Sequence, residues 1–156
     1  MTNQQNIVHT MVSEIMTPYL LTIDQYASLA EAHEKMKLNK IRRLPVTDNE
    51  ALIGIITERD ILNAKPSDIK HSLDEDEINK ALSRVIVDVV MTKEPVTIYQ
   101  TDTIGHAAEK MLDKQVGGLP VLDANNKLIG LITESDIFRA IAKRWRDDNV
   151  LYSGID

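Results

Sequence analysis

The sequence predicts an α/β (α+β) protein made of two tandem copies of one β-α-β-β-α unit. Two motifs recur at one constant spacing: Met16-Thr17 and Leu44-Pro45-Val46 return as Met91-Thr92 and Leu119-Pro120-Val121. After one inserted residue, the motif at residues 54–61 returns at residues 130–137. Within each copy, β-rich segments alternate with an apolar stripe at helical spacing. Two copies of one unit predict halves related by an approximate two-fold axis, with two equivalent clefts between them.

The first half of each unit is predicted as a strand followed by a helix. In the second copy, residues 95–98 form a short β-rich segment that opens with the helix-breaking Pro95. Thr101 and Asp102 offer side-chain caps to a helix over about residues 103–114. The apolar residues at helical spacing are Ile104, Ala107, Ala108, Met111 and Leu112. In the first copy, Ser28 caps the equivalent helix, whose stripe is Leu29, Ala32 and Met36.

The second half of each unit is predicted as two strands and a helix. Residues 118–122 and 128–132 are strand segments, and the polar residues 123–127 form the turn between them. The chain then enters a helix through residues 133–136, with Ile137, Ala140 and Ile141 on one face.

The predicted organisation is a first domain at residues 10–64, a linker loop and helix at 65–84, a second domain at 85–143 and a C-terminal tail at 144–156. Acidic residues 74–77 open the linker helix, where the helix dipole favours them. Consecutive carboxylates on a helix point in different directions, so this run predicts a solvated helix end and not a metal site.

Composition limits the possible functions. The chain has 156 residues, a net charge of −6 and no cysteine. The negative charge argues against general nucleic-acid binding, and the missing cysteines exclude disulfides and thiolate chemistry. No apolar run approaches the ~20 residues that cross a bilayer, and residues 1–9 lack a signal-peptide pattern. We therefore expect a cytoplasmic protein without membrane insertion.

No set of residues predicts catalysis. Neither a nucleophile with a neighbouring base nor a glycine-rich phosphate loop of the Walker kind is visible. No catalytic residue and no metal ligand are predicted, so the protein is expected not to be an enzyme.

The repeated motifs resemble the CBS domain, and the pair resembles a Bateman module. The resemblance rests on the Met-Thr opening, the Leu-Pro-Val strand and the Gly-h-h-Thr-x-x-Asp-h motif (h, apolar), each present twice over about residues 10–143. It implies a stand-alone pair of CBS domains packed through their sheets as a pseudo-two-fold pair. It also implies that AMP, ADP, ATP or S-adenosylmethionine binds in the clefts as a regulatory ligand. No cofactor is required.

The resemblance further implies what such a module does. We expect an energy-sensing homodimer that transmits adenine-nucleotide binding to a regulated protein, which the sequence does not identify.

Two crossed ligand sites follow from the resemblance. The preferred site joins residues of both copies: Thr133, Ser135 and Asp136 with Tyr19, Ile41, Arg42 and Arg43. The second site joins Thr57, Arg59 and Asp60 with Glu94, Val116, Gly117 and Gly118. In each site the aspartate takes the ribose hydroxyls, because one carboxylate can accept hydrogen bonds from two vicinal hydroxyls. The threonine assists with ribose or phosphate, and the aliphatic residue lines the adenine.

The copies differ where a phosphate would lie. Arg42-Arg43 precedes one Leu-Pro, whereas Gly117-Gly118 precedes the other. Arginine can fork onto a phosphate and glycine cannot, so the Asp136 site is expected to hold a phosphorylated ligand better. Glu94 would repel phosphate at the Asp60 site.

Other interpretations of the same residues remain open. Thr57 to Asp60 and Thr133 to Asp136 also fit a capping box, in which threonine and acid only start a helix. Exposed arginines at positions 42 and 43 can serve solubility alone. The whole module can be a structural dimerisation or interaction module with vestigial ligand sites.

Overall fold

The computed structural model describes residues 6–18, 21–67, 71 and 74–152. Their elements follow the chain in this order: a 3₁₀ turn (Ile7–His9), α1 (Val12–Ile15), β1 (Ile23–Asp24), α2 (Leu29–Asn39), β2 (Arg43–Asp48), β3 (Ala51–Thr57), α3 (Glu58–Asn63), α4 (Glu75–Leu82), α5 (Val87–Val90), β4 (Thr92–Lys93), β5 (Ile98–Tyr99), α6 (Ile104–Lys114), β6 (Gly118–Leu122), β7 (Leu128–Thr133) and α7 (Glu134–Tyr152). The predicted β-α-β-β-α order is confirmed in both repeats, as β1-α2-β2-β3-α3 and β5-α6-β6-β7-α7.

The chain divides into two compact units that differ from the two contiguous domains predicted from the repeat. One unit is Leu21–Pro95, and the other combines Met1–Leu20 with Val96–Asp156. Each unit therefore holds the five core elements of one repeat together with the Met-Thr opening of the other repeat. The first unit is called here the Asp60 unit and the second the Asp136 unit.

A four-stranded sheet organises the Asp60 unit. Its strand order is β1-β2-β3-β4, with β1 parallel to β2 and the other pairs antiparallel. Asn49 and Glu50 join β2 to β3 with φ values of 46° and 69°, the positive values that a tight hairpin turn requires. The fully buried side chains on this sheet and its helices are aliphatic: Leu29, Ala32, Leu44, Val46, Ile56, Ile61, Leu82 and Val87.

A three-stranded sheet, β5-β6-β7, organises the Asp136 unit. Its core is again mainly aliphatic and consists of Val12, Ile98, Ile104, Ala107, Met111, Leu119, Val121, Ile132 and Ile137. Val12 comes from α1, far along the chain from the repeat that it stabilises. Thr17 also bridges to this sheet, since its N–H donates to the Leu131 carbonyl at 2.9 Å. Its repeat equivalent Thr92 lies in β4, which pairs with β3 of the Asp60 unit.

Each Met-Thr opening crosses a strand where the strand carries a glycine. A Cβ added to Gly130 would lie 2.7 Å from the Met16 sulfur and 3.0 Å from the Thr17 carbonyl oxygen. A Cβ added to Gly54 would lie 2.5 Å from the Met91 sulfur and 3.0 Å from the Thr92 carbonyl oxygen. The backbone approach leaves no room for a side chain, so the opening and the glycine motif occur together.

Ser28 caps α2 as predicted. Its hydroxyl oxygen accepts a hydrogen bond from the Glu31 N–H at 3.2 Å, and the Glu31 carboxylate accepts one from the Ser28 N–H at 2.7 Å. The bond from the Ser28 N–H, with a second from its hydroxyl, holds the pKa of Glu31 below its usual value.

The predicted caps of α6 were wrong by one or two positions. Thr103 is the N-cap, and its hydroxyl oxygen accepts from the His106 N–H at 3.2 Å. Asp102 instead accepts from the Tyr99 N–H at 3.0 Å and so closes the turn after β5. That strand is also shorter than predicted, because only residues 98 and 99 pair with β6.

Two residues of the predicted apolar stripes are exposed. Leu112 on α6 is 78% exposed and Ile141 on α7 is 48% exposed. The small sheet covers only the helix face around Met111 and Ile137, and the flanking positions lie beyond its rim. Helix α7 continues to Tyr152, through the predicted boundary at residues 143 and 144.

Helix α4, Glu75–Leu82, lies within the residues 65–84 predicted as a linker loop and helix. The Asp74 carboxylate accepts from the backbone N–H of Asp76 at 2.9 Å and of Glu77 at 3.4 Å. The helix also does more than link, because Leu82 is fully buried in the core of the Asp60 unit. No helix within the described ranges is long and apolar enough to cross a membrane.

We expect Gly130→Ala to lower the free energy of unfolding by about 1–3 kcal/mol, because the new methyl group must displace Met16 and the Thr17 carbonyl. Urea denaturation of the variant measures this loss. Adding Met16→Ala should recover part of it, since a flexible side chain is removed and the carbonyl remains. Strictly additive losses in the double variant would contradict the proposed close contact.

Candidate functional site

The Thr-x-x-Asp turn of the first repeat is a closed hydrogen-bonded ring. Asp60 Oδ2 accepts from the Thr57 N–H at 2.8 Å and from the Thr57 hydroxyl at 2.7 Å. The Asp60 N–H in turn donates to Thr57 Oγ1 at 3.2 Å. These bonds make a capping box that starts α3, so the structural interpretation of the motif is correct.

The second repeat builds the same ring. Asp136 Oδ2 accepts from the Thr133 N–H and hydroxyl, both at 2.8 Å, and the Asp136 N–H donates to Thr133 Oγ1 at 3.4 Å. The ring fixes the carboxylate on the first turn of α7. In both repeats it engages Oδ2 and leaves Oδ1 outside the box.

The other carboxylate oxygen distinguishes the two repeats. Arg139 Nη1 donates to Asp136 Oδ1 at 2.9 Å, and the Asp136 side chain is only 11% exposed. The equivalent position in the first repeat is Asn63, and no described residue donates to Asp60 Oδ1. Arg139 is not among the predicted site residues, although its spacing of three residues from Asp136 on a helix signals such a pair.

The segment before each Leu-Pro strand is positioned by the end of a helix. Lys40 and Gln115 follow α2 and α6 in the left-handed conformation, with φ values of 53° and 54°. The N–H of Ile41 then donates to the Met36 carbonyl at 3.0 Å, and the N–H of Val116 donates to Met111 at the same distance. This helix end turns the chain towards the sheet and packs Ile41 and Val116 partly into their cores.

Within the Asp60 unit, this segment meets the Thr-x-x-Asp turn of its own repeat. The Arg42 carbonyl accepts from the Glu58 N–H at 2.9 Å, and Arg43 lies opposite Thr57 in the β2–β3 ladder. The Arg42 side chain is exposed and that of Arg43 is half-buried. Ile41, Arg42 and Arg43 are therefore neighbours of Thr57 and Asp60.

The Asp136 unit repeats this arrangement without cations. The Gly117 carbonyl accepts from the Glu134 N–H at 3.2 Å, and Gly118 lies opposite Thr133 in the β6–β7 ladder. Val116, Gly117 and Gly118 are thus neighbours of Thr133 and Asp136. Ser135 is half-buried on the first turn of α7.

The crossed sites combine residues from the two units and stay predictions. Glu94 lies in the Asp60 unit, where its N–H donates to the Ile53 carbonyl at 3.2 Å and its side chain is exposed. Arg59 is exposed on the first turn of α3. Tyr19 lies outside the described residues. Across the described part of the chain, no three His, Asp or Glu side chains cluster so that they could hold a metal ion.

The fold and these turns define a tandem α/β module with one fixed aspartate in each repeat. The sequence model of the CBS domain matches residues 12–67 and 85–143. The chain belongs to the CBS domain family and carries two CBS domains in tandem.

One curated relative matches the chain over nearly its full length. A CBS domain-containing protein of Dictyostelium discoideum is 39% identical over 134 residues, which are 85% of this chain and 92% of the relative. Other relatives are much longer than the pair. The chain is 34% identical to a homoserine O-acetyltransferase of Methanohalobium evestigatum, but it spans only 24% of that protein's length.

Solved structures of CBS pairs share the fold. The CBS-pair protein CBSX2 of Arabidopsis thaliana superposes with a TM-score of 0.73 at 27% identity, covering 88% of this chain and 97% of that chain. A structure of CBSX2 in complex with AMP gives a TM-score of 0.70 at 29% identity, covering 86% and 97%. The CBS domain pair of protein MJ0100, in complex with 5′-methylthioadenosine and S-adenosylmethionine, gives 0.69 at 27% identity, covering 86% and 98%.

We expect Thr133→Val to lower the free energy of unfolding by about 1 kcal/mol, because the capping hydroxyl is lost while the side-chain shape is kept. Thermal and urea unfolding measure this effect. Thr133→Ser keeps the hydroxyl and should retain most of the stability. Equal losses in the two variants would show that packing of the methyl group, and not the cap, matters at this position.

Proposed function

We propose that the chain is a regulatory module that binds an adenosine-containing ligand at its Thr-x-x-Asp turns and transmits this binding to a partner protein. One observation carries the proposal. In both repeats the cap uses only Oδ2 of the aspartate, so Oδ1 keeps acceptor capacity, which at Asp136 is shared with one bond from Arg139. A location in the cytoplasm, expected for a chain without cysteine, is part of the proposal.

A fixed carboxylate suits a ribose. Its vicinal hydroxyls are two donors at a set spacing, and a carboxylate accepts charge-assisted bonds that are stronger than neutral ones. Because the box already holds the side chain in place, little rotamer freedom is lost when the ligand binds. Aliphatic residues beside each turn, Ile41 and Val116, suit an adenine ring.

The ligands of the solved relatives support the adenosine part in particular. CBSX2 has been solved with AMP, and the MJ0100 pair with 5′-methylthioadenosine and S-adenosylmethionine. Of these three molecules only AMP carries a phosphate, whereas all contain adenosine. The ribose-binding aspartate is therefore the element of the proposal that fits every one of them.

The turns support binding and not catalysis. The hydroxyls of Thr57 and Thr133 each donate to an aspartate and accept from a backbone N–H. The cap therefore already uses each hydroxyl as donor and acceptor, and neither is positioned as a nucleophile.

A regulatory effect requires only that the ligand prefers one conformation of the module over another.

Calorimetry of the whole chain with adenosine, AMP, ATP and S-adenosylmethionine tests the proposal. We expect Asp136→Ala to weaken the tighter of the two sites by at least about tenfold, because a bond to a charged group contributes about 1.5–3 kcal/mol. Asp60→Ala should affect the weaker site.

Glu31→Ala is the matched control. It opens the same kind of capping box on α2, so it should lower stability without changing ligand affinity. No binding of any of the four compounds at millimolar concentration would refute the proposal. Equal effects of Glu31→Ala and Asp136→Ala would show that a lost cap, and not a lost ribose contact, weakens binding.

A second candidate function is self-association. Phe138, Ile141 and Trp145 follow one another at helical spacing on α7 and are 66%, 48% and 67% exposed. Such an exposed apolar stripe is typical of an interaction surface, and we propose a second copy as its occupant. A contact through α2 and α6 would instead have to use Leu38 and Leu112, because Met36 and Met111 on these helices are buried.

Sedimentation velocity at several concentrations tests the association. We expect a dimer that Phe138→Ser with Trp145→Ser converts to a monomer, because the apolar stripe is lost, whereas Leu38→Ser with Leu112→Ser leaves it intact. The opposite result would place the contact on α2 and α6. A monomer at every concentration would exclude self-association altogether.

A further inference from the structure

The thioether of Met16 lies against strand β7. A Cβ added to Gly130 would come within 2.7 Å of the Met16 sulfur and 3.3 Å of its Cγ, so the methionine side chain fills the space beside the glycine. Met16 packs against the core of the Asp136 unit and is only partly buried there. An oxidisable sulfur atom in a close contact therefore belongs to a side chain that solvent reaches.

The backbone next to Met16 joins this contact to the sheet. The Thr17 N–H donates to the Leu131 carbonyl at 2.9 Å, and the Leu131 N–H donates to the Thr17 carbonyl at 3.2 Å. These two residues directly follow Met16 and Gly130. Because β7 is the last strand of its sheet, the two bonds satisfy part of its outer edge. Any displacement of Met16 therefore acts on a pair of hydrogen bonds that protects this edge.

The first repeat contains the same contact in a shielded form. A Cβ added to Gly54 would lie 2.5 Å from the Met91 sulfur, yet only 8% of Met91 is exposed. The other described methionines differ widely in exposed fraction, which is 2% for Met36, 4% for Met111 and 49% for Met11. Met16 is thus the one described methionine that combines the glycine contact with partial exposure.

We propose that Met16 is an oxidation site through which hydrogen peroxide loosens the Asp136 unit. A lone pair of the thioether sulfur attacks one peroxide oxygen, and the S–O bond forms as the O–O bond breaks. The sulfur loses two electrons and the peroxide gains them. The transferred oxygen gives its proton to the departing hydroxide, which leaves as water, and the product is methionine sulfoxide. The site does not depend on a bound ligand.

The sulfoxide does not fit the contact that the thioether makes. The side facing Gly130 has no space for a new oxygen, because even a Cβ on that glycine would lie 2.7 Å from the sulfur. A polar S=O group that packs among apolar side chains without a donor costs free energy. Rotation of the side chain towards water avoids this cost but withdraws the sulfur from Gly130. Either outcome weakens the crossing of the Met-Thr opening over β7.

Mild oxidation of the whole chain by hydrogen peroxide tests the proposal, with peptide mass spectrometry and thermal unfolding as readouts. We expect Met11 and Met16 to oxidise before Met91, and the unfolding midpoint to fall by about 3 °C or more as the Met16 sulfoxide accumulates. Hydrogen exchange at the Thr17 and Leu131 amides should rise roughly tenfold, since both bonds depend on the crossing. Methionine sulfoxide reductases for both epimers should reverse these changes.

Met11→Leu and Met16→Leu are the matched variants, because leucine has nearly the volume of methionine and lacks the sulfur. Peroxide should lower the midpoint of Met11→Leu as it does in the unchanged chain, and it should leave that of Met16→Leu unchanged. If Met16→Leu does not fold, the reductases decide in the Met11→Leu chain, where recovery of the midpoint must follow the loss of the Met16 sulfoxide.

Any one of four results overturns the proposal. The first is that Met16 oxidises no faster than the shielded Met91. The second is that its sulfoxide leaves the midpoint and the amide exchange unchanged. The third is that peroxide lowers the midpoint of Met16→Leu as much as that of the unchanged chain. The fourth is that the reductases remove the sulfoxide without restoring the midpoint.

Discussion

The close backbone approach between each Met-Thr opening and the glycine of β3 or β7 is the contact on which the rest of each unit depends. A Cβ at Gly54 or Gly130 would collide with a methionine sulfur and crowd a threonine carbonyl. This contact brings in the short helices α1 and α5, whose residues Val12 and Val87 are fully buried in cores built mainly by the other repeat. Each small sheet thereby gains apolar surface that its own repeat does not supply, which matters because units of this size bury little surface alone.

The same strand leads directly into the candidate site. Three residues after the glycine, β3 and β7 end at a threonine that caps the following helix with an aspartate three residues further on. The cap occupies only one oxygen of each carboxylate, so the proposed ribose contact and the cap use different oxygens, although Arg139 also donates to the second oxygen of Asp136. The cap also fixes the direction of the carboxylate, so a structural requirement of the fold prepares the site for binding.

Duplication followed by local divergence separates the two repeats. Arg42 and Arg43 lie next to the Asp60 turn, and the position three residues after Asp60 is the uncharged Asn63. Glycines lie next to the Asp136 turn, and the position three residues after Asp136 is Arg139. Cations thus approach the two turns from different directions. The capped aspartate is therefore common to the two repeats, whereas the charges around it are not.

The sequence by itself determined the repeat, the β-α-β-β-α order and most core positions, because apolar periodicity and turn residues are local signals. It also located both Thr-x-x-Asp turns and their capping geometry, since a capping box spans only four residues. It did not determine that Val12 joins the core of the second repeat, that Leu112 lies outside that core, or that Lys143 and Ile7 line one groove. These features depend on which segment crosses which sheet and where a small sheet ends, and distant parts of the chain meet there only through tertiary packing.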